Sequence, residues 1–150
     1  MKNLFEAATL DEVQARLASL QPDSERVWGS MTVAQALAHC SLGMEMTMGD
    51  VRPPRMLVGR ILGGFIKSKA LGNDEPMRKN SPTVKVLVVK DDRDFGVEQA
   101  RLSGLIGKFA AGGPKGCTGH PHAFFGKLTS AEWAELTYKH LDHHLRQFGA

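Results

Sequence analysis

A chain of 150 residues is long enough to form one domain with its own hydrophobic core, and its 42% hydrophobic and 23% charged residues are ordinary for a globular protein. The net charge of +3 is mildly basic, but no dense Lys/Arg stripe with interleaved aromatics accompanies it, so the charge gives only weak support to a nucleic-acid partner. The lack of a signal core, of a long apolar run and of a disulfide framework (the two cysteines are Cys40 and Cys117) predicts a reduced, cytoplasmic protein without a membrane partner.

Two helices are predicted in the N-terminal third of the chain. Thr9–Glu12 matches the capping box of a helix start, and the apolar stripe that follows it ends before Pro22; its members are Leu10, Val13, Leu17 and Leu20. Thr32–Gln35 is a second capping box and opens a helix to about Met48 that is apolar on most sides. His39 lies in the middle of this second helix, where little water is available, so its imidazole needs a polar partner.

The central stretch predicts a long connection that carries an additional helix. Pro53-Pro54 breaks the chain and precedes a helix running to Leu71, whose inward residues are predicted to be Leu57, Ile61, Phe65 and Ile66. Residues 83–89 are rich in β-branched side chains without a visible partner strand, which indicates an extended crossover or a short edge that pairs between subunits. Asp92 or Asp94 caps the next helix, which ends at Gly112-Gly113-Pro114.

The last helix carries the most unusual pattern in the chain. It opens with the capping box Thr129–Glu132, and its inward face includes both His140 and His144. At a spacing of i and i+4, two imidazoles lie one helical turn apart and can reach one metal ion. His143 lies at the margin of this face. A pair of hydrogen-bonded core histidines has the same spacing, so the spacing alone leaves both interpretations open.

Four principal helices, with the long connection between the second and the third, predict an all-α fold. We expect residues 1–150 to form a single helical bundle domain with a crossover that carries an extra helix and a short extended segment. Metal sites in such bundles are built in the core from side chains on facing helices. His39 meets His140 and His144 if the second and last helices are neighbours.

Three segments together resemble the DinB/YfiT-like superfamily, and in particular a branch of it without an assigned function. The segments are WGSMTVAQALAHC at residues 28–40, HPHAFFGKLTSAEW at 120–133 and YKHLDHHLRQFG at 138–149. The resemblance implies a DinB-like four-helix bundle with a divalent metal held by three histidines, one on the second helix and two on the last. His39, His140 and His144 match these positions. Imidazole ligation suits zinc or nickel best, with iron or manganese as further candidates.

The resemblance also sets the expected chemistry, because the superfamily includes thiol-dependent transferases and isomerases. We expect a metal-dependent hydrolase or a thiol-dependent transferase acting on a small molecule, with a low-molecular-weight thiol as a candidate co-substrate. The alternative is a non-catalytic, stress-associated metal-binding dimerisation module, and a homodimer is compatible with both. His120 and His122 are candidate proton carriers, although surface loop histidines are the more common case. Cys117 is a candidate reactive thiol without a neighbour that clearly lowers its pKa.

Overall fold

Five α-helices make up the regular structure of the computed structural model, which describes Met1–Ala150 and contains no β-strand. They are α1 (Ala7–Ser19), α2 (Val33–Met48), α3 (Leu57–Ala70), α4 (Phe95–Gly112) and α5 (Ser130–Gln147). Short 3-10 turns occur at Lys85–Leu87 and Gly113–Gly116. The predicted all-α class is therefore confirmed. None of the helices combines the length and the apolarity that crossing a membrane requires.

The bundle consists of α1, α2, α4 and α5, with α2 packed against both α4 and α5. Its main core contains sixteen buried residues contributed by all four helices and their flanking segments. Twelve of the sixteen residues of α2 are buried. The apolar character of this helix on most sides therefore reflects its burial on most sides. Residues 49–94 form the predicted long connection between α2 and α4 and carry α3 as the additional helix.

The helices that carry the histidines begin where their capping boxes predict. Thr32 and Thr129 each accept a hydrogen bond, through the side chain, from the backbone N–H three residues ahead. The Gln35 and Glu132 side chains in turn accept a hydrogen bond from the backbone N–H of the cap residue. Asp94, one of the two predicted caps, accepts from Val97 N at 2.8 Å and starts α4. These local interactions fix the register in which α2 and α5 present their side chains.

The predicted start of α1 at Thr9 is wrong. The helix begins one turn earlier at Ala7, with Glu6 at the cap position, and Thr9 is a buried residue inside it. Leu4 is completely buried and the Phe5 ring stacks on Phe109 of α4 at 5.2 Å between centroids. Burial of these two apolar side chains holds the preceding residues against α4, so tertiary packing extends the helix beyond the local capping signal.

Three of the four predicted inward residues of α3 are wrong, because Leu57, Ile61 and Phe65 are 77%, 81% and 64% exposed. The fourth, Ile66, is half-buried. The buried residues of α3 are instead Gly59 and Gly63. A Cβ atom built on either glycine would lie only 2.5 or 2.2 Å from the Phe124 carbonyl oxygen. The helix therefore approaches the chain at Phe124 through its two smallest residues, and its large apolar side chains face outward.

Residues 83–89 form no strand and pair with no other segment. The 3-10 turn at Lys85–Leu87 lies between Val84 and Val88, both of which have extended backbone angles. Leu87 and Val89 are 4% and 6% exposed, so the apolar character of the segment reflects burial against the bundle rather than sheet formation. Within the chain the segment is therefore a crossover with a 3-10 turn in its middle, and pairing between subunits stays a prediction.

We predict that Gly63→Ala weakens the packing of α3 against the chain at Phe124, whereas Gly64→Ala does not. A methyl group at position 63 meets the Phe124 carbonyl, and a methyl group at position 64 meets nothing within 4 Å. Overpacking of this kind costs about 1–3 kcal/mol, while replacing an exposed helical glycine stabilises a helix by roughly 0.5–1 kcal/mol. Hydrogen exchange of the amides at residues 57–70 measures both effects. Equal protection in the two variants would contradict the proposed close packing of Gly63 against Phe124.

Candidate metal centre

Three histidine side chains from two helices meet in the bundle core. His39 lies on α2, and His140 and His144 lie one turn apart on α5; all three pairs of ring centroids are separated by 4.8 Å. Each residue contributes one ring nitrogen to a group whose members lie within 4.8 Å of one another. The closest pair is His39 Nε2 and His140 Nε2 at 2.9 Å. The structure thus brings together three histidines that could hold a metal ion, as the sequence predicted, while their role as ligands stays a prediction.

A glycine on α2 makes room for this meeting. A Cβ atom on Gly43 would lie 3.1 Å from both Cε1 and Nδ1 of His140, so a larger residue would press on the imidazole. One turn further along α2, Thr47 Oγ1 lies 3.1 Å from Thr137 Oγ1 on α5 and donates to the Gly43 carbonyl at 3.1 Å. The close approach of α2 and α5 therefore places His39 beside His140.

Hydrogen bonds at the outer nitrogens orient two of the three rings. His39 Nδ1 lies 2.7 Å from the Leu87 carbonyl oxygen, which accepts only, so Nδ1 carries the proton. His144 Nδ1 lies 2.8 Å from Gln147 Oε1, and the same amide donates through Nε2 to the Trp28 carbonyl at 2.9 Å. That second bond fixes which end of the amide faces His144. Both imidazoles consequently have an unprotonated Nε2, the arrangement in which an outer hydrogen bond prepares a histidine for a metal.

His140 completes the group in either of two tautomers. Its Nε2 can donate to His39 Nε2 at 2.9 Å, which accounts for the contact as a hydrogen bond. With the proton on Nδ1, which has no partner in the protein, Nε2 is free to bind a cation. Two bonds of 2.0–2.1 Å can join nitrogens at most about 4.2 Å apart, so the 4.8 Å limit of the group requires only small side-chain adjustments. The three residues could therefore hold a divalent metal.

Burial keeps the three rings uncharged. Desolvation lowers the pKa of His39 from its ordinary value and lowers that of His144 to about 3. Desolvation also moves the pKa of His140 well below the ordinary range, and its two histidine neighbours add to the shift. Neutral imidazole is the form that binds metals, so the ligand nitrogens need not lose protons at neutral pH.

A cavity of about 670 Å³ adjoins the group. His140 lines it together with Gly43, Thr47 and Thr137, whereas His39 and His144 lie behind this wall. Its apolar lining includes Met46, Phe125, Trp133 and Leu136. Because His140 belongs both to the histidine group and to the cavity wall, a small molecule in the cavity would lie next to the group.

The two candidate proton carriers in the loop before α5 differ in position, because only one of them lines the cavity. His122 lines the cavity, and its Nδ1 accepts hydrogen bonds from the backbone N–H groups of Phe124 and Phe125, both at 3.1 Å. Burial, with a smaller contribution from the Arg55 charge, lowers the pKa of His122 to about 4. His122 is thus an uncharged ring whose Nε2 carries the proton. His120 does not line the cavity; its Nε2 lies 3.4 Å from the Pro53 carbonyl oxygen.

The other residues with candidate chemistry lie outside the group. The His143 ring packs against Trp28 at 5.4 Å between centroids, and it is not a member of the three-histidine group. Cys117 is half-buried, and burial raises the pKa of its thiol, which disfavours a reactive thiolate. Cys40 is 2% exposed, and burial raises the pKa of its thiol as well, consistent with a small hydrophobic core residue.

Four parts of the site were not foreseen from the sequence. Gln147 lies three residues after His144 on α5, a spacing at which helical side chains meet, so its amide could have been identified as the partner. The Leu87 carbonyl, which accepts from His39, is a backbone group and has no residue-type signal. Gly43 and Thr47 follow His39 at successive helical turns and were not singled out either.

The fold and the site together define an all-α protein with a buried three-histidine group that could hold a metal ion. A family model described as "Protein of unknown function (DUF1569)" matches residues 2–150, and the chain therefore belongs to this family. Neither the curated proteins nor the solved structures contain a significant match to the chain.

We predict that the metal-free protein loses stability as the pH falls from 7 to 5. The folded pKa values of His122 and His144 are about 4 and about 3, whereas an unfolded histidine has a pKa of about 6.5. Between these values the unfolded chain binds more protons, so acidification favours unfolding, by on the order of 1 kcal/mol or more over this range. Urea unfolding in the presence of a chelator measures the change.

His122→Asn is the matched variant for the pH experiment, because it keeps a side-chain acceptor in the loop and removes one buried imidazole. We expect a shallower loss of unfolding free energy between pH 7 and pH 5 than in the unsubstituted chain. A free energy of unfolding that stays constant over this range in the unsubstituted protein would show that the buried histidines do not carry depressed pKa values.

Proposed function

We propose that His39, His140 and His144 bind one divalent metal ion through Nε2 and that the protein is a metal-dependent enzyme acting on a small molecule. The reaction class is hydrolysis or transfer to a small thiol. The observation that carries the proposal is the position of His140, which belongs to the histidine group and also lines a cavity of about 670 Å³. A site that only stabilised the fold would need no such access.

The resemblance to the DinB/YfiT-like superfamily supports the same proposal. A long connection separates the first two bundle helices from the last two. The histidines lie on the second and last helices of the bundle, as the resemblance implies. Imidazole ligands suit zinc or nickel best, with iron or manganese as further candidates. The family to which the chain belongs has no assigned function, so the support comes from the geometry and the superfamily resemblance together.

The histidines would hold the metal without neutralising it, because burial leaves all three uncharged. A divalent ion held in this way lowers the pKa of a bound water or holds a bound thiol as thiolate. The Leu87 carbonyl and the Gln147 amide keep Nε2 of His39 and His144 directed into the group. These outer contacts fix the orientation of the ligands, and loss of such a contact commonly lowers metal affinity by roughly 10- to 100-fold.

The cavity supplies the remaining chemistry from the chain itself. Apolar side chains such as Trp133 and Leu136 exclude water from one wall, and the proton on His122 Nε2 is available to a substrate as a hydrogen-bond donor. Lys69 and Arg78 also line the cavity and offer positive charge. We infer that the substrate combines an apolar part with a polar group that accepts hydrogen bonds.

The number of protein ligands favours catalysis over a purely structural or dimerising role. Closed structural zinc sites commonly use four protein ligands, whereas catalytic sites use three and keep a position for water or substrate. His143 and Cys117 also carry side chains that can bind a metal, and neither belongs to the group. His143 packs beside Trp28, and Cys117 Sγ lies 3.9 Å from the Ser130 carbonyl oxygen.

We predict that the purified protein contains about one divalent ion per chain, since three imidazoles form a single site. His39→Ala, His140→Ala and His144→Ala should each lose the metal, and His143→Ala should retain it as the matched control from the same helix. Elemental analysis after dialysis gives the ratio. Unchanged metal content in the first three variants would show that the group is a hydrogen-bonded cluster and not a metal site.

We predict that a chelator lowers the melting temperature without unfolding the protein. The bundle has its own sixteen-residue core, so the fold does not depend on metal in the way that a zinc finger does. Free metal at 100 times its dissociation constant stabilises the native state by about 2.7 kcal/mol. Thermal unfolding with and without chelator measures the shift, and His140→Ala should show none. A protein that is unfolded at room temperature without metal would contradict the expectation.

We predict that His122→Ala lowers the rate by roughly 10- to 100-fold if His122 handles a proton or donates to the substrate. His120→Ala is the matched control from the same loop, because His120 does not line the cavity. Hydrolysis of a chromogenic ester and transfer of a small thiol to an aryl halide are suitable probe reactions. Activity that survives in His39→Ala would contradict the metal-dependent assignment, and equal losses in the two loop variants would remove His122 from the mechanism.

A further inference from the structure

The outer face of α3 is an exposed apolar surface. Leu57, Ile61 and Phe65 follow one another at intervals of four residues, and the neighbouring Val58 and Leu62 are 45% and 46% exposed. Gly59 and Gly63 lie on the opposite side of the helix, against the Phe124 carbonyl. The five apolar side chains, hereafter the α3 face, therefore have no partner within the chain that could cover them.

The segment of the chain that contains α3 is cationic. Residues 51–73 contain five cationic side chains and no acidic one: Arg52, Arg55, Arg60, Lys67 and Lys69. Lys67 pairs with Glu132 at 2.7 Å, and Arg55 donates to the His122 carbonyl at 2.9 Å. Arg60 and Lys69 form no ion pair, and Lys69 Nζ lies 4.6 Å from the centroid of the Phe65 ring. Unpaired cations thus lie beside the exposed apolar side chains.

We propose that α3 docks the protein on an anionic lipid surface, with the helix lying in the interface. Apolar side chains on one face of a surface helix enter the boundary between headgroups and acyl chains, and flanking lysines and arginines contact anionic headgroups. The α3 face supplies the first contribution, and Arg60 and Lys69, which form no ion pair, supply the second. This proposal replaces the expectation of no membrane partner, which was based on the lack of a signal core and of a long apolar run and did not consider a helix lying on the membrane surface.

Charge favours a lipid surface over a second copy of the chain. In a symmetric contact between two α3 helices, each helix meets an identical surface. In an antiparallel pair, Arg52 and Arg60 lie near the C-terminal end of the partner helix, which carries two lysines. In a parallel pair, the same cationic residues of the two helices lie beside each other. Both arrangements bring unpaired cations onto cations without an acidic side chain between residues 51 and 73 to compensate. A layer of anionic headgroups compensates all of them at once.

The position of α3 relative to the rest of the molecule leaves this face accessible. The helix is attached through its glycine side, and the bundle core is formed by the other four helices. Val58 both belongs to the exposed face and lines the cavity, so the edge of α3 borders the cavity. Docking through the outer face requires no rearrangement of the histidine group.

Cosedimentation of the full chain with lipid vesicles tests the proposal. Binding should be strong to phosphatidylcholine vesicles containing phosphatidylglycerol, weak to pure phosphatidylcholine, and reduced by salt. The triple variant Leu57→Gln, Ile61→Gln, Phe65→Gln should bind at least about tenfold more weakly, because three apolar side chains no longer enter the interface. The double variant Arg60→Gln, Lys69→Gln should lose the preference for anionic vesicles.

Val27→Gln, Val97→Gln is the matched control, because these residues are 66% and 63% exposed and lie away from α3. We expect it to bind vesicles as the unsubstituted chain does, and all variants should keep their metal content and helical circular dichroism. Equal binding to neutral and anionic vesicles, or equal weakening in the control, would overturn the proposal. So would a dimer in solution that the triple variant converts to monomer without any vesicle binding by the unsubstituted chain.

Discussion

The close approach of α2 to α5 at Gly43 is the constraint on which the candidate site depends. A Cβ atom at this position would lie 3.1 Å from the His140 ring, so any larger residue would press on the imidazole that lies beside His39. The hydrogen bond between Thr47 and Thr137 holds the same pair of helices one turn further on. Along α2, His39, Gly43 and Thr47 lie at four-residue intervals on one face. That face supplies a possible ligand, the space for its partner and a polar contact that sets the spacing.

Burial of three imidazoles in such a core requires that each remain uncharged and that each N–H find an acceptor. Desolvation meets the first requirement by lowering the pKa values of all three rings. The second is met in different ways: the Leu87 carbonyl in the long connection accepts from His39, and Gln147 on α5 accepts from His144, with its amide oriented by the Trp28 carbonyl before α2. Irregular segments therefore help to decide which nitrogen of His39 and of His144 faces the centre, which helical spacing alone does not determine.

Features that depend on neighbouring residues were predictable from the sequence. The capping boxes at Thr32 and Thr129 were correctly placed because both partners of each interaction lie within four residues. The shared face of His140 and His144 follows from helical geometry in the same way. The same local pattern at Thr9 failed, because burial of Leu4 extends α1 by a turn, and such burial depends on a helix far along the chain. The Leu87 carbonyl was beyond prediction, since any residue provides one.

The case of α3 shows what periodicity leaves open. Spacing established that Leu57, Ile61 and Phe65 share a face, but it does not state what covers that face. The informative residues were Gly59 and Gly63, to which the sequence-based prediction gave no role in packing. Two glycines four residues apart also form a side that can approach another backbone within van der Waals distance, and here that backbone is the Phe124 carbonyl. Once the glycine side is recognised as the packed side, the apolar face must point away from it, and an exposed amphipathic helix follows from the sequence.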